Sequence, residues 1–214
     1  ATEHFRDQGL NVLFLFDSIT RFAEAHRETA LLAGETPALN AFPPSTVRVV
    51  SELAERTGPG TDGKGDITAV YSVLVAGSDM EEPVADMIRG ILDGHIILAR
   101  DIAERGRYPA IDILRSVSRS LPHAATDDEN ALIRECRRMF ALYEEIAPML
   151  RANLYEFGKD AEADRAIALY SLLDRYAGTP NGLGIEAAFD RLREILRTER
   201  SLAAQALPAT PIDP

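Results

Sequence analysis

The sequence holds a single cysteine, Cys136, so no intrachain disulfide can brace the fold, as suits a reducing compartment. Cys136 sits on an apolar helical face and reads as a small core residue rather than a nucleophile. No apolar run approaches the roughly 18 residues that a membrane-spanning helix needs. No signal-peptide pattern stands at the start. An excess of basic charge is missing as well. The net charge is −11, with 12 basic against 18 acidic residues in 1–125 and 11 against 16 in 126–214. That even acidity argues against a general nucleic-acid footprint and against a polybasic membrane anchor, leaving room only for a local patch. The four histidines, His4, His26, His95 and His123, are scattered with no cysteine or carboxylate at zinc-ligand spacing. A complete phosphate-binding loop is also absent. Gly58, Gly63 and Lys64 satisfy G-x-x-x-x-G-K, but Gly65 stands where the motif needs a hydroxyl for Mg²⁺. The flanking pattern, helix in and strand out, reverses the order that motif requires, so this stretch is expected to be a flexible connection.

What is there suits a globular chain. A length of 214 residues is enough for one large domain or one and a half smaller ones, and 46% apolar with 27% charged residues is ordinary. Residues 1–7 read as helix, ending at Gly9. Residues 12–16, VLFLF, form a short continuous apolar run, expected to be a strand buried on both faces. Helices are expected over 22–32 and 46–56, with the proline-bearing 34–45 irregular. A strand over 67–75, a helix over 83–92, a strand over 95–99, a short helix over 100–104 and a strand over 108–113 follow. That alternation predicts a mostly parallel sheet. The strand pattern stops at 122–127, and helices are expected over 129–146, from Pro148 to 157, over 161–176 and over 185–204. The division is thus an α/β part over 1–122, an all-α part over 123–205 and a disordered tail over 206–214.

Candidate chemistry gathers at strand ends. Asp17 closes the first strand, where open α/β sheets bind ligands and where P-loop nucleotidases carry the Walker B carboxylate. Many buried strands also end in Asp for turn or capping reasons, so the pattern alone leaves both readings open. Arg119, in an Arg-Ser-x-Ser-Arg setting, suits either a surface salt bridge or an anion site. Ser116, Ser118, Ser120 and Asp93 read as turn residues, and Tyr155 and Phe157 as helix-end packing.

Four segments occur together in a telling order: VLFLFDSITRFAEAHRE (12–28), AFPPS (41–45), EPVADMIRGILDGHIILARDIAERGRYPAIDILRSVSR (82–119) and GKDAEADRAI (158–167). They resemble the hexameric ATPase that energises export through flagellar and related type III secretion systems, a family similar to the catalytic subunits of rotary ATP synthases. The likeness covers roughly residues 1–176; the stretch beyond matches no pattern we can name.

The resemblance implies the C-terminal part of a RecA-like P-loop ATPase domain followed by a helical domain, with ATP and Mg²⁺ as cofactors. Asp17 would be the Walker B residue, ordering Mg²⁺ through water, with Arg21 one turn on supporting it. Tyr108 would stack on adenine, and Arg119 would be the arginine finger reaching a neighbouring subunit's ATP. The loop over 77–83, with Asp79, Glu81 and Glu82, would face a central pore. The implied partners are a homohexamer, a coiled-coil stalk protein and export chaperone–cargo complexes, in the cytoplasm and peripheral to a membrane export gate, with no nucleic acid. The family's phosphate loop and catalytic Glu both precede the Walker B strand, and this sequence has neither. The chain is therefore expected to be the C-terminal portion of the ATPase and inactive alone. A rotary synthase subunit, a docking or assembly module and a nucleic-acid translocase with the same core are the alternatives, the last disfavoured by the acidic charge.

Overall fold

The computed structural model describes residues 1–38, 42–61, 63–76, 82–180, 182 and 184–198. Its elements run α1 (Thr2–Asp7), β1 (Val12–Phe16), α2 (Ile19–Leu32), α3 (Pro44–Glu55), β2 (Ile67–Tyr71), α4 (Pro83–Ile91), β3 (Gly94–Leu98), α5 (Arg100–Glu104), β4 (Ile111–Ser118), α6 (Asp127–Arg151), α7 (Ala161–Ala177) and α8 (Ile185–Arg197). The chain packs as two compact units, Ala1–Asp93 and Gly94–Pro214.

In the first unit β1 and β2 pair in parallel, with Val12 opposite Ile67 and Phe16 opposite Tyr71. Phe16 and Tyr71 pack on a core of Ile19, Ala23, Phe42, Val50, Val84 and Ile88 from α2, α3, α4 and the loop before α3. Alternation then turns Leu13, Leu15 and Val70 to the other side, where they are 64%, 68% and 54% exposed. The expectation of a strand buried on both faces is therefore corrected. The core forms on one face of this pair, and an unbroken apolar run does not reveal which face that is. The proline-bearing segment is closed locally: Ser45 donates to Glu35 through its amide at 3.0 Å and its hydroxyl at 2.5 Å. The glycine-rich stretch leads from a helix to a strand, as expected. Lys64 pairs with Asp7 at 3.1 Å. A Cβ on Gly65 would lie 2.1 Å from the Leu10 carbonyl oxygen, so only glycine fits there.

The second unit holds an antiparallel ladder, β3 with β4, and so departs from the expected mostly parallel sheet. The connection from Ala99 to Ala110 contains only the single-turn helix α5, and it returns the chain alongside β3. β4 also runs on to Ser118, five residues past the expected end. The Ser116 hydroxyl explains this: it donates to the Asp112 carbonyl at 2.5 Å and accepts from the Ile97 amide at 3.0 Å across a register shift. Ser116 and Ser118 are thus strand residues rather than turn residues.

α6 starts on a capping box, with Thr126 and Glu129 each bonding the other's backbone amide. It continues through Pro148, where a restart was expected, because a proline in the last turn forfeits only one ladder bond. Asn153, at φ 54°, then ends it, so Tyr155 and Phe157 lie in a loop rather than a helix. Tyr155 donates to Asp164 at 2.8 Å and meets Phe157 edge-on at 5.1 Å. α6, α7 and α8 enclose Met139, Phe140, Ala166, Leu169, Leu173, Leu192 and Leu196, against which Ile113 and Leu114 of β4 pack. Each fully buried leucine here contributes about 1.5–3 kcal/mol. This packing of β4 on the helices explains why the compact units divide after Asp93, although the strand pattern stops near Pro122. The expected end of the last helix at 204 and the tail 206–214 lie outside the described residues.

Cys136 belongs to that core, and burial pushes its thiol up to about 11. Little thiolate then exists near neutrality. Iodoacetamide at pH 8 should leave native Cys136 unlabelled over an hour and label it readily in denaturant. Rapid native labelling would show that the helical core opens.

Candidate functional site

Asp17 lies at the turn between β1 and α2, joined to Ser18 by a cis peptide bond. Ser18 is the N-cap of α2, its hydroxyl accepting from the Arg21 amide at 3.3 Å. The continuation of β2 laces this corner from the other side. Ser72 donates its amide to the Phe16 carbonyl at 3.0 Å, and its own carbonyl accepts from the Ile19 amide at 3.0 Å. The Thr20 hydroxyl accepts from the Leu74 amide at 2.9 Å and donates to the Leu74 carbonyl at 3.2 Å. The Ser72 hydroxyl donates a short hydrogen bond to the Asp17 carboxylate. Among the described residues that is the one protein group bound to this exposed carboxylate, so most of its acceptor capacity faces outward. No hydrogen bond or ion pair joins the Arg21 guanidinium to Asp17 among the described residues.

Ser72 escapes a reading of the sequence because its partnership depends on the β1–β2 register. The available signal was a hydroxyl just past the end of a neighbouring strand. On the proposal that Asp17 orders Mg²⁺, replacing Ser72 with alanine in the complete protein should raise the Mg²⁺ concentration needed for half-maximal turnover about 10–100-fold, the usual cost of losing a group that orients a metal ligand. An unchanged Mg²⁺ requirement would show that Ser72 does not orient Asp17.

Tyr108 and Arg119 belong to the second unit, one just before β4 and the other just after it. At a strand rise of roughly 3.3 Å per residue, β4 separates its two ends by on the order of 20 Å. Tyr108 is 65% exposed, between Gly106 at φ 84° and a cis bond to Pro109. Arg107 beside it is buried and donates to the carbonyls of Pro109 and Ile111 at 3.2 and 2.7 Å. The strand that leads to Arg119 is gripped from α6: the Arg137 guanidinium donates to the carbonyls of Ile113, Leu114 and Ser116 at 2.6, 2.7 and 3.1 Å. Asp112 accepts from the amides of Leu114 and Arg115, both at 3.0 Å, completing the hold on β4. Arg107 and Arg137 were not singled out from the sequence, since an arginine that spends itself on backbone carbonyls looks like any surface cation. Glu82 of the expected pore loop accepts from the Ala76 amide at 3.0 Å. Asp79 and Glu81 lie outside the described residues.

Residues 1–118 match the model of the ATP synthase alpha/beta family, nucleotide-binding domain. The chain belongs to that family. Residues 125–178 match the T3SS EscN ATPase C-terminal domain. The chain is 47% identical over 174 residues to the flagellum-specific ATP synthase of Treponema pallidum, covering 81% of this chain and 38% of the relative. It is 48% identical over 168 residues to the SPI-2 type 3 secretion system ATPase of Salmonella typhimurium, covering 78% and 38%. The assembled ATPase EscN of enteropathogenic E. coli aligns with a TM-score of 0.86 at 38% identity, over 91% of this chain and 47% of that one. The same ATPase in complex with its central stalk EscO aligns at 0.81. This family member therefore has the expected fold, part of a RecA-like domain followed by a helical one. It spans less than half the length of the curated relatives named here and of the assembled EscN chain.

Proposed function

We propose that this chain supplies the C-terminal part of a MgATP-hydrolysing export ATPase, flagellar or type III, that works as a homohexamer. The observation that carries this reading is the succession, on one chain, of the nucleotide-binding-domain match and the type III secretion C-terminal match. The second match favours the export branch over a rotary synthase subunit. The division of labour follows the sequence boundary near 122: nucleotide contacts before it, and contacts to stalk, chaperone and cargo on the helices after it.

The residues present fit the magnesium and nucleotide that the family implies. Asp17 offers a hard, outward-facing carboxylate already oriented by Ser72. No group of three or more His, Cys, Asp or Glu among the described residues could hold a metal alone, which suits an ion kept by one carboxylate, water and substrate phosphates. When bound, Mg²⁺ neutralises charge on the phosphate oxygens. Asp17 keeps water and metal in register; Tyr108 presents its ring to adenine; Arg119 offers a planar guanidinium to the transferring phosphoryl of the neighbouring subunit's ATP. The separation of Tyr108 from Arg119 by the whole of β4 supports their serving different nucleotides. Arg21 completes the Asp17 corner toward the phosphates. Glu82, at the described end of the expected pore loop, faces the pore, toward a stalk of the kind that EscN binds in its complex with EscO. No helix among the described residues is long and apolar enough to cross a membrane, which suits a cytoplasmic ATPase docked at the export gate.

Two measurements test this. The complete protein should hydrolyse MgATP, and the 214-residue chain alone should show no shift in Tm at millimolar MgATP, because ligand that binds only the folded state must stabilise it. A clear shift with the chain alone would show that these residues suffice to hold nucleotide. A complete protein without ATPase activity would overturn the enzyme reading.

A further inference from the structure

The segment that carries Tyr108 is not held by its own domain alone. Arg107 is 8% exposed, and its guanidinium spans two partners. On one side it donates to the carbonyls of Pro109 and Ile111, which fixes the backbone on both sides of the cis-proline turn. On the other, its Nε lies 2.9 Å from the Asp174 carboxylate in an ion pair whose N–H does not point at the oxygen. Asp174 also takes Arg105 at 3.3 Å, and Arg105 donates to the Tyr170 hydroxyl at 2.7 Å. One turn beyond Asp174, the C-cap Gly178 closes the contact: a Cβ there would lie 3.2 Å from Arg107 Cγ and 3.4 Å from the Tyr108 carbonyl oxygen. Both arginines therefore meet the C-terminal end of α7, where the helix dipole favours a cation. Tyr108 and Arg107 belong to the stretch matching the nucleotide-binding domain. Asp174 and Gly178 belong to the stretch, or its immediate border, matching the C-terminal domain.

We propose that Arg107 and Asp174 form a clasp by which the C-terminal helical domain sets the position of the adenine-facing Tyr108. Arg107 is then a positioning residue for nucleotide affinity, and a movement of α7 on binding a partner changes how well the base is held. A buried guanidinium with three oxygen partners has one arrangement, so α7 and the Tyr108 turn move together. Lysine cannot reproduce this, since one ammonium cannot span two carbonyls and a carboxylate in a fixed plane. The inference rests on the ATPase reading above.

The test uses the complete hexameric protein with ATP as substrate. Arg107→Ala should raise KM for ATP by about five- to thirtyfold, part of the value of a base–aromatic stack, with kcat falling less than about threefold. Arg107→Lys and Asp174→Asn should move KM in the same direction by less, and both should keep the wild-type Tm within a few degrees. They carry the test if Arg107→Ala folds poorly. In a Tyr108→Ala background, adding Asp174→Asn should change KM less than twofold, since residues that act as a unit are not additive. Wild-type turnover with unchanged KM in Arg107→Lys and Asp174→Asn would overturn the clasp while leaving the ATPase reading intact. Fully additive effects with Tyr108→Ala would overturn it too. Absence of wild-type turnover would instead sink the ATPase reading and the clasp with it.

Discussion

Replacing Arg119 with alanine in the complete ATPase is expected to lower turnover by about 10³–10⁵ while leaving nucleotide affinity nearly intact. The reasoning starts from β4. Its backbone is pinned by three Arg137 bonds, by the Asp112 carboxylate and by the Ser116 hydroxyl. Arg119 follows directly, so its guanidinium is delivered from a fixed strand end rather than from a free loop. A planar cation that meets charge only as the phosphoryl group transfers stabilises the transition state more than bound ATP. Its loss should therefore appear in kcat and not in binding. Turnover kinetics alongside nucleotide binding measure the two separately. A loss of affinity as large as the loss of rate would mean that Arg119 holds ground-state ATP and is no finger.

On the proposed reading, Asp17→Asn should remove about 10²–10³ of turnover, because several kcal/mol of transition-state stabilisation would rest on the metal that the carboxylate orders. Asparagine keeps a side-chain oxygen to accept from Ser72, so the corner between β1 and α2 stays closed and the change is one of charge. Raising Mg²⁺ should recover only part of the loss. Turnover close to wild type at ordinary Mg²⁺ would remove Asp17 from the metal site.

Much of this was legible in the sequence because it is local. The run VLFLF followed by Asp17 is a strand ending in a carboxylate, and β1 ends at Phe16 with Asp17 at the turn. The helix expected over 129–146, from the apolar spacing of Leu132, Cys136 and Phe140, likewise needed only neighbouring residues, and it lies within α6. What was not legible depends on distance. Whether Leu13 and Leu15 are covered is decided by which face the helices take. The antiparallel direction of β3 against β4 goes with a connection whose only helix is the single-turn α5. The Ser72 contact to Asp17 follows from strand register, and the hold of Arg107 on Asp174 from packing between segments far apart along the chain. Tolerance of Pro148 turned on its place in the final turn of α6, which no propensity value encodes.

The central claim is that Asp17 and Arg119 serve one ATP from different subunits. Mixed rings test it most directly. The complete Asp17→Asn and Arg119→Ala proteins, each nearly inactive alone, are co-assembled in equal amounts and assayed for MgATP hydrolysis. The account predicts recovery toward about a quarter of wild-type turnover, since in a randomly assembled ring with heterologous interfaces roughly one interface in four pairs an intact Asp17 with an intact Arg119. A mixture no more active than the two variants apart would contradict it.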